Sequence, residues 1–123
     1  MTAIDFTTSR LQWHNFIGTW SNWGKAVLRR PGASDRLCVA CVTEFLPKER
    51  VGSMIDPEAR KARVSALAPD GSVLDPPPDK ERDSLIIFNE DGTEQPVYRI
   101  VAKPGRKEPV AGLVLFWTLQ VRQ

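Results

Sequence analysis

One histidine and two cysteines among 123 residues leave little material for the commonest catalytic sites. A Ser-His-Asp arrangement would have to use His14, and no Gly-x-Ser-x-Gly elbow is present to pair with it. His14 therefore reads as a structural or surface histidine. The cysteines, Cys38 and Cys41, are spaced as Cys-x-x-Cys. A zinc site would need two more ligands, and only His14 could offer one. A redox pair should open a helix beside a βαβ pattern, whereas Leu37-Cys38-Val39-Ala40-Cys41-Val42 is strand-like. In a strand, positions three apart face opposite ways, so the two thiols are expected to diverge and to lie buried and inert.

Other absences narrow the field further. The eight glycines are scattered at turns, so no phosphate loop or dinucleotide fingerprint exists. Glu44 with Glu49, Asp79 with Glu81 and Asp83, and Glu90 with Asp91 lie in turn-like stretches and read as solvated. That argues against two carboxylates opposed across a cleft. No catalytic, cofactor-binding or metal residue is expected, and no enzyme. No apolar run reaches the roughly 18 residues of a membrane span; the longest, Val110 to Leu119, is strand-sized. Met1-Thr2-Ala3-Ile4-Asp5-Phe6 shows no basic patch followed by an apolar stretch, so no signal peptide is expected and the cytoplasm is the default. With 17 basic and 15 acidic residues the net charge is +2, too balanced for wholesale phosphate binding but compatible with a local basic strip.

What is present is an ordinary globular composition, 41% hydrophobic and 26% charged, in a length that fits one domain, residues 1–123. Residues 1–24 differ from the rest. Asp5, Thr7, Thr8 and Ser9 offer helix caps, and Trp13, Phe16, Ile17 and Trp20 fall at spacings of three and four. A short helix is expected here, weakened by Gly18 and ended by Gly24. From residue 25 onward the pattern is of strands. Lys25 to Arg30 closes on the Pro31-Gly32 turn. Leu37 to Phe45 is apolar on both faces and should be buried on both sides. Residues 47–61 read as a long loop, and Arg60 to Leu67 returns to alternation. A Pro-rich stretch, with Asp70-Gly71 and Pro76-Pro77-Pro78, precedes the strand Ser84 to Phe88. Asn89-Glu90-Asp91-Gly92 is a turn, Val97 to Ala102 a strand, and Lys103 to Lys107 another turn. Ala111 to Val121 is the last strand, with Leu113, Leu115, Trp117, Leu119 and Val121 on one face. The expected fold is mainly β: a small antiparallel β-barrel or sandwich of about six strands with a short N-terminal helix.

Three groups of residues stand out as contacts for other macromolecules. In the 47–61 loop, Val51, Gly52, Met54 and Ile55 interrupt a polar stretch and lead to Arg60 and Lys61. Arg29-Arg30 end the first strand, Lys103, Arg106 and Lys107 occupy a late turn, and Arg63 follows the loop. Each basic group is either a solvated face or a contact with a phosphate backbone or an acidic protein. Trp13 and Trp20 suit packing of the helix on the sheet, while Trp23, beside Gly24, suits an exposed aromatic anchor.

Residues 24–122 resemble the small head–tail joining proteins (head-closure or neck proteins) of tailed phages and prophages. The similarity is carried by Gly24-Lys25-Ala26-Val27-Leu28-Arg29-Arg30-Pro31, by Val39 to Glu49 followed by Val51-Gly52, and by Arg60-Lys61-Ala62-Arg63-Val64-Ser65-Ala66. It continues through Pro78 to Ile87, a proline, basic residue, Asp and then an aliphatic strand, and through the closing Trp117-Thr118-Leu119-Gln120-Val121-Arg122. Asn89 to Glu94 makes a longer turn than the family usually has, and the Trp-rich N-terminal segment has no clear counterpart. The resemblance implies a β-barrel that forms a homo-oligomeric ring between head and tail, contacts adaptor and tail proteins, and seals a channel with DNA close by. It implies residence in the host cytoplasm during assembly and then in the virion neck, no cofactor and no membrane. The runner-up is a small nucleic-acid-binding β-barrel of the oligonucleotide-binding kind.

Overall fold

The computed structural model describes residues 6–20, 25–45, 58–109 and 111–123. It is mainly β: one antiparallel sheet and one helix, α1 (Phe6–Trp20). Eight strands follow in chain order: β1 (Ala26–Arg29), β2 (Arg36–Cys38), β3 (Ala40–Thr43), β4 (Arg60–Ser65), β5 (Ser84–Ile87), β6 (Tyr98–Ile100), β7 (Gly105–Lys107) and β8 (Phe116–Arg122). Their order in the sheet is β2-β1-β5-β6-β8-β4-β3, with β7 paired to β8 beside β6. No helix among the described residues is long and apolar enough to cross a membrane.

The two ends of that order are consecutive in the chain. β2 pairs with β1, β3 pairs with β4, and only Val39 stands between β2 and β3. The sheet therefore rolls round until its first and last strands are joined covalently. Leu37 to Phe45, expected as a single strand, is one extended stretch shared by both margins of the sheet. The Val39 carbonyl accepts from the Ser65 N–H at 2.9 Å, so it serves the β4 side. The expectation that this stretch is buried on both faces fails at Leu37, which is 52% exposed because it faces out where β2 forms the margin.

Inward-facing side chains alternate along every long strand. Ala26 and Leu28, Ala62 and Val64, Leu85 and Ile87, Tyr98 and Ile100, Leu119 and Val121 fill one apolar interior with Cys38 and Ala40. Full burial of each leucine, isoleucine or valine contributes roughly 1.5–3 kcal/mol, and this interior carries most of the fold's driving force. Cys38 lies in it, whereas Cys41 lies in a second cluster outside the barrel with Ile17, Leu115 and Phe116. The thiols thus point to opposite faces of the sheet, and both are free. Burial pushes the Cys38 thiol up to about 12 and raises that of Cys41.

The strand count exceeds the expected six for two reasons. The first is the division at Val39. The second is β7, which forms within the stretch expected to be a turn: β6 pairs with β8 only near Val121 and Arg122, so the other half of that flank is open for Gly105–Lys107. The last strand also starts later than expected, at Phe116. The expected stripe therefore divides. Trp117, Leu119 and Val121 face or border the interior, while Leu115 joins the outer cluster.

The helix packs on the outer face of β3, β4 and β8. Its buried seam is narrower than the predicted stripe: Ile17 is fully buried and Trp13 is partly buried against the same cluster, but Phe16 is 48% exposed and Leu11 51%. The helix lies against the sheet at Gly18, where a Cβ would stand 3.6 Å from Val39, an ordinary van der Waals distance. Two five-residue turns, 68–72 and 89–93, solve the same problem in the same way. In each, an Asp side chain accepts from the N–H and hydroxyl two residues on, Asp70 from Ser72 and Asp91 from Thr93. In each, the glycine between them, Gly71 or Gly92, has φ near 88°.

Asp83 is the one buried carboxylate, 4% exposed, among the described residues. Arg30 donates to it through Nε and Nη2 at 3.0 and 3.1 Å, and Arg36 Nη2 lies 2.7 Å from it. The Asp79 N–H adds a donor at 2.9 Å. Arg36 also donates to the Pro76 carbonyl. One carboxylate thus fastens the end of β1, the start of β2, the start of β5 and the Pro-rich segment. Desolvation pushes its pKa up, but the hydrogen bonds from Arg30 and Arg36 outweigh that and hold it below the usual carboxylate range.

Asp83→Asn should cost about 3 kcal/mol in urea unfolding, since two guanidinium groups lose their buried partner. Because the folded state favours ionised Asp83, its contribution is complete above the unfolded carboxyl value near 4 and is lost as pH falls through its lowered folded value. The thermal midpoint should hold from neutral pH to about 5 and drop below about 4, with a shallower acid limb in Asp83→Asn. Ellman's reagent should label neither thiol until denaturant is added; rapid labelling of native protein would contradict the burial of both.

Candidate functional site

The outer face of β4 and β8 collects the polar positions that alternation excludes from the interior. Lys61 stands opposite Gln120, Arg63 opposite Thr118 and Ser65 opposite Phe116. On the other flank of β8, Lys107 of β7 stands opposite Phe116 and Gly105 opposite Thr118. Paired residues share a face, so Lys61, Arg63 and Lys107 are carried on one surface. They line a shallow groove of about 340 Å³ with Arg106, Phe116 and Thr118, and among the described residues no carboxylate lines it. Arg106 stands opposite Trp117 and also lines a neighbouring groove of about 640 Å³ with Lys103, Pro104 and Pro78. Glu108 approaches Arg106 to 3.6 Å from the side.

One end of the basic groove is built by α1. The Arg63 guanidinium lies 5.7 Å from the centre of the Trp13 ring and 5.5 Å from that of Phe116. The two rings are themselves 4.6 Å apart and tilted by 47°. Beside them His14 Nδ1 is 2.7 Å from the Ser65 hydroxyl, which also accepts from the Leu67 N–H at 3.1 Å. Ser65 is 0% exposed, so this serine–histidine pair pins the helix to β4 and presents no reachable nucleophile.

The sequence candidates are distributed as follows. Lys61, Arg106 and Lys107 meet at the groove, and Lys103 lines its neighbour. Arg60 and Lys61 belong to β4, so the loop expected to run to residue 61 ends earlier. Arg60 alternates away from Lys61 and pairs with Glu44 at 3.1 Å. Arg29 is held by Asp35 at 2.9 Å and Glu94 at 2.8 Å. The hydrogen bonds it donates to those carboxylates raise its pKa, as those donated to Asp83 raise that of Arg30. Both arginines therefore serve the barrel's own ion pairs. Val51, Gly52, Met54, Ile55 and Trp23 lie outside the described residues. Thr118 and Phe116 are groove residues that sequence reasoning missed. The signal was their place in the alternation, one step out of phase with Trp117 and Leu119.

In comparisons with known proteins, no family model matches the chain, and no curated protein or solved structure matches it either.

Ser65→Ala leaves His14 Nδ1 and the Leu67 N–H without their partner and should cost about 1–3 kcal/mol. Arg63→Met keeps the stem between the rings and removes the charge, so it should cost less than Ser65→Ala. Chemical denaturation of both variants checks the ranking; a larger loss in Arg63→Met would show that the cation–aromatic contact dominates helix docking.

Proposed function

We propose that this chain is a structural component of the neck of a tailed phage or prophage. In this reading, copies of it form a ring between head and tail, held by adaptor and tail proteins, and close the DNA channel. The observation that carries the reading is the β3–β4 hairpin. Thr43 and Lys61 are paired neighbours, so the chain between β3 and β4 is a connection of residues 44–59. Hairpin connections usually take about two to five residues, and much longer ones in compact domains are usually functional. A long connection rooted in a closed barrel suits an element that reaches across a channel or into a neighbouring subunit. The resemblance of residues 24–122 to head-closure proteins points the same way. The protein is made in the host cytoplasm in this account and ends in the virion.

The basic groove favours a second reading, a small nucleic-acid-binding β-barrel. Against it, the aromatic rings at the groove face Arg63 and each other, so they offer no ready platform for stacked bases.

Met54→Asp with Ile55→Asp tests the first reading. The double variant should keep the circular dichroism spectrum and thermal midpoint of the parent. Mixed with the adaptor and tail proteins encoded beside it, the parent should enter ring-shaped particles visible by electron microscopy, and the variant should not. Failure of the parent to join any such particle would sink the neck assignment.

A further inference from the structure

We propose that two copies of this chain pair through the Pro-rich segment, the exposed ridge of residues 73–77 in each filling the groove between Pro78, Pro104 and Trp117 of the other. The ridge is exposed yet held in place. Val73 is 59% exposed, and Asp75, Pro76 and Pro77 are exposed as well. Among them Leu74 is buried in the barrel interior, and its N–H donates to the Ala66 carbonyl at 2.8 Å. The Pro76 carbonyl accepts from Arg36, and Pro78 is buried. The outward residues are thus presented on a backbone that is already fastened on both sides of Asp75. Such a segment loses little freedom when it is bound, and its proline side chains lose almost none. The prolines also offer no N–H, so the ridge asks few polar partners of the surface that receives it.

The groove beside the ridge matches it in polarity and in charge. Its volume is about 640 Å³, and Trp117, Pro78 and Pro104 form its apolar part. Trp117 is only partly buried, so one part of the indole packs on the interior and the rest stays open. An open indole among prolines suits an apolar ridge that is poor in donors. The wall formed by residues 78–81 carries Asp79 and Glu81 and repels a further carboxylate, while the opposite wall carries Lys103 and Arg106. Glu108 approaches Arg106, whereas Lys103 is exposed and makes no ion pair among the described residues. Asp75 makes none there either. An incoming Asp75 is therefore directed to Lys103. The ridge runs straight into Pro78, which lines the groove, so one two-fold axis lets both copies exchange the contact at once. So short a ridge, even exchanged twice, buries less than the roughly 1,200 Å² of a stable interface, and the dissociation constant is on the order of 100 μM. The inference does not rest on the neck reading: pairing is read on the isolated chain, and neck assembly is read with adaptor and tail proteins.

The test is sedimentation velocity of the isolated full chain from about 10 μM to about 1 mM, a range that brackets the expected constant. The parent should shift reversibly from monomer towards dimer. Asp75→Lys alone and Lys103→Glu alone each set like charges against one another across the contact and should weaken pairing by about tenfold or more. Both positions are exposed, so the variants should keep the parent's thermal midpoint. An equal mixture of the two single variants should pair as the parent does, because each contact between unlike chains again joins a lysine with a carboxylate. The double variant Asp75→Lys with Lys103→Glu should pair as well, at the parent's net charge. A parent that stays monomeric at the highest concentration would overturn the proposal. Undiminished pairing of both single variants, or failure of their mixture to pair, would move the contact away from Asp75 and Lys103 and overturn it too. Binding of a synthetic ten-residue polyproline by a chain that stays monomeric, read by tryptophan fluorescence, would reassign the groove to a different proline-rich partner.

Discussion

A single stretch of chain, residues 36–43, hydrogen-bonds to both margins of the sheet, and the rest of the structure follows from that constraint. A sheet with free margins could vary its curl; one whose ends are joined through Val39 cannot. The radius is then set by the side chains that fill the interior. These are small where strands β2, β3 and β4 crowd together, with Ala40, Ala62 and Cys38, and larger opposite, with Leu85, Ile87 and Tyr98. Closure also fixes the outer face, because every outward residue of β4 and β8 has a set neighbour. The helix seam and the basic groove are built side by side on that one rigid surface.

Charge is used in two distinct ways. Asp83, Arg30 and Arg36 form a compact cluster at the junction of three strands and the Pro-rich segment, where a buried carboxylate accepts from the Arg30 guanidinium and a backbone N–H and is ion-paired with Arg36. Such a cluster specifies geometry more than it adds net stability, because desolvation offsets much of the attraction. Arg29, Asp35 and Glu94 do similar work at the surface, where solvent screening leaves each pair worth little. Lys61, Arg106 and Lys107 instead line one groove on the outside of the sheet, where Glu108 approaches Arg106 to 3.6 Å.

The mainly β class, the helix and most strand positions were legible because apolar alternation and turn residues agree with the tertiary structure over the described residues from 25 onward. The divided strand was not legible. Leu37 to Phe45 carries no glycine or proline at Val39, and the change of partner there reflects the circumference of the barrel. β7 was not legible either. Gly105-Arg106-Lys107 has no apolar pattern, and it is a strand only because β8 offers it an open flank. The helix was placed correctly, but its buried side is narrower than the apolar stripe: Ile17 is fully buried whereas Phe16 and Leu11 are about half exposed. Of the basic candidates, sequence could not separate Arg30 from Lys107. The partner that claims Arg30 lies 53 residues away, and only folding brings it near.

Among the described residues, the strands left with one unpaired flank, β2, β3 and β7, are three or four residues long. β7 is further bounded by Pro104 and Pro109 and carries two cations. Short, charged, proline-bounded margins give another chain almost nothing to extend as a sheet. The protein should thus tolerate crowding at high concentration without polymerising edge to edge. Any association between copies must then run through side chains and loops, where it can be made to wait for the right neighbour.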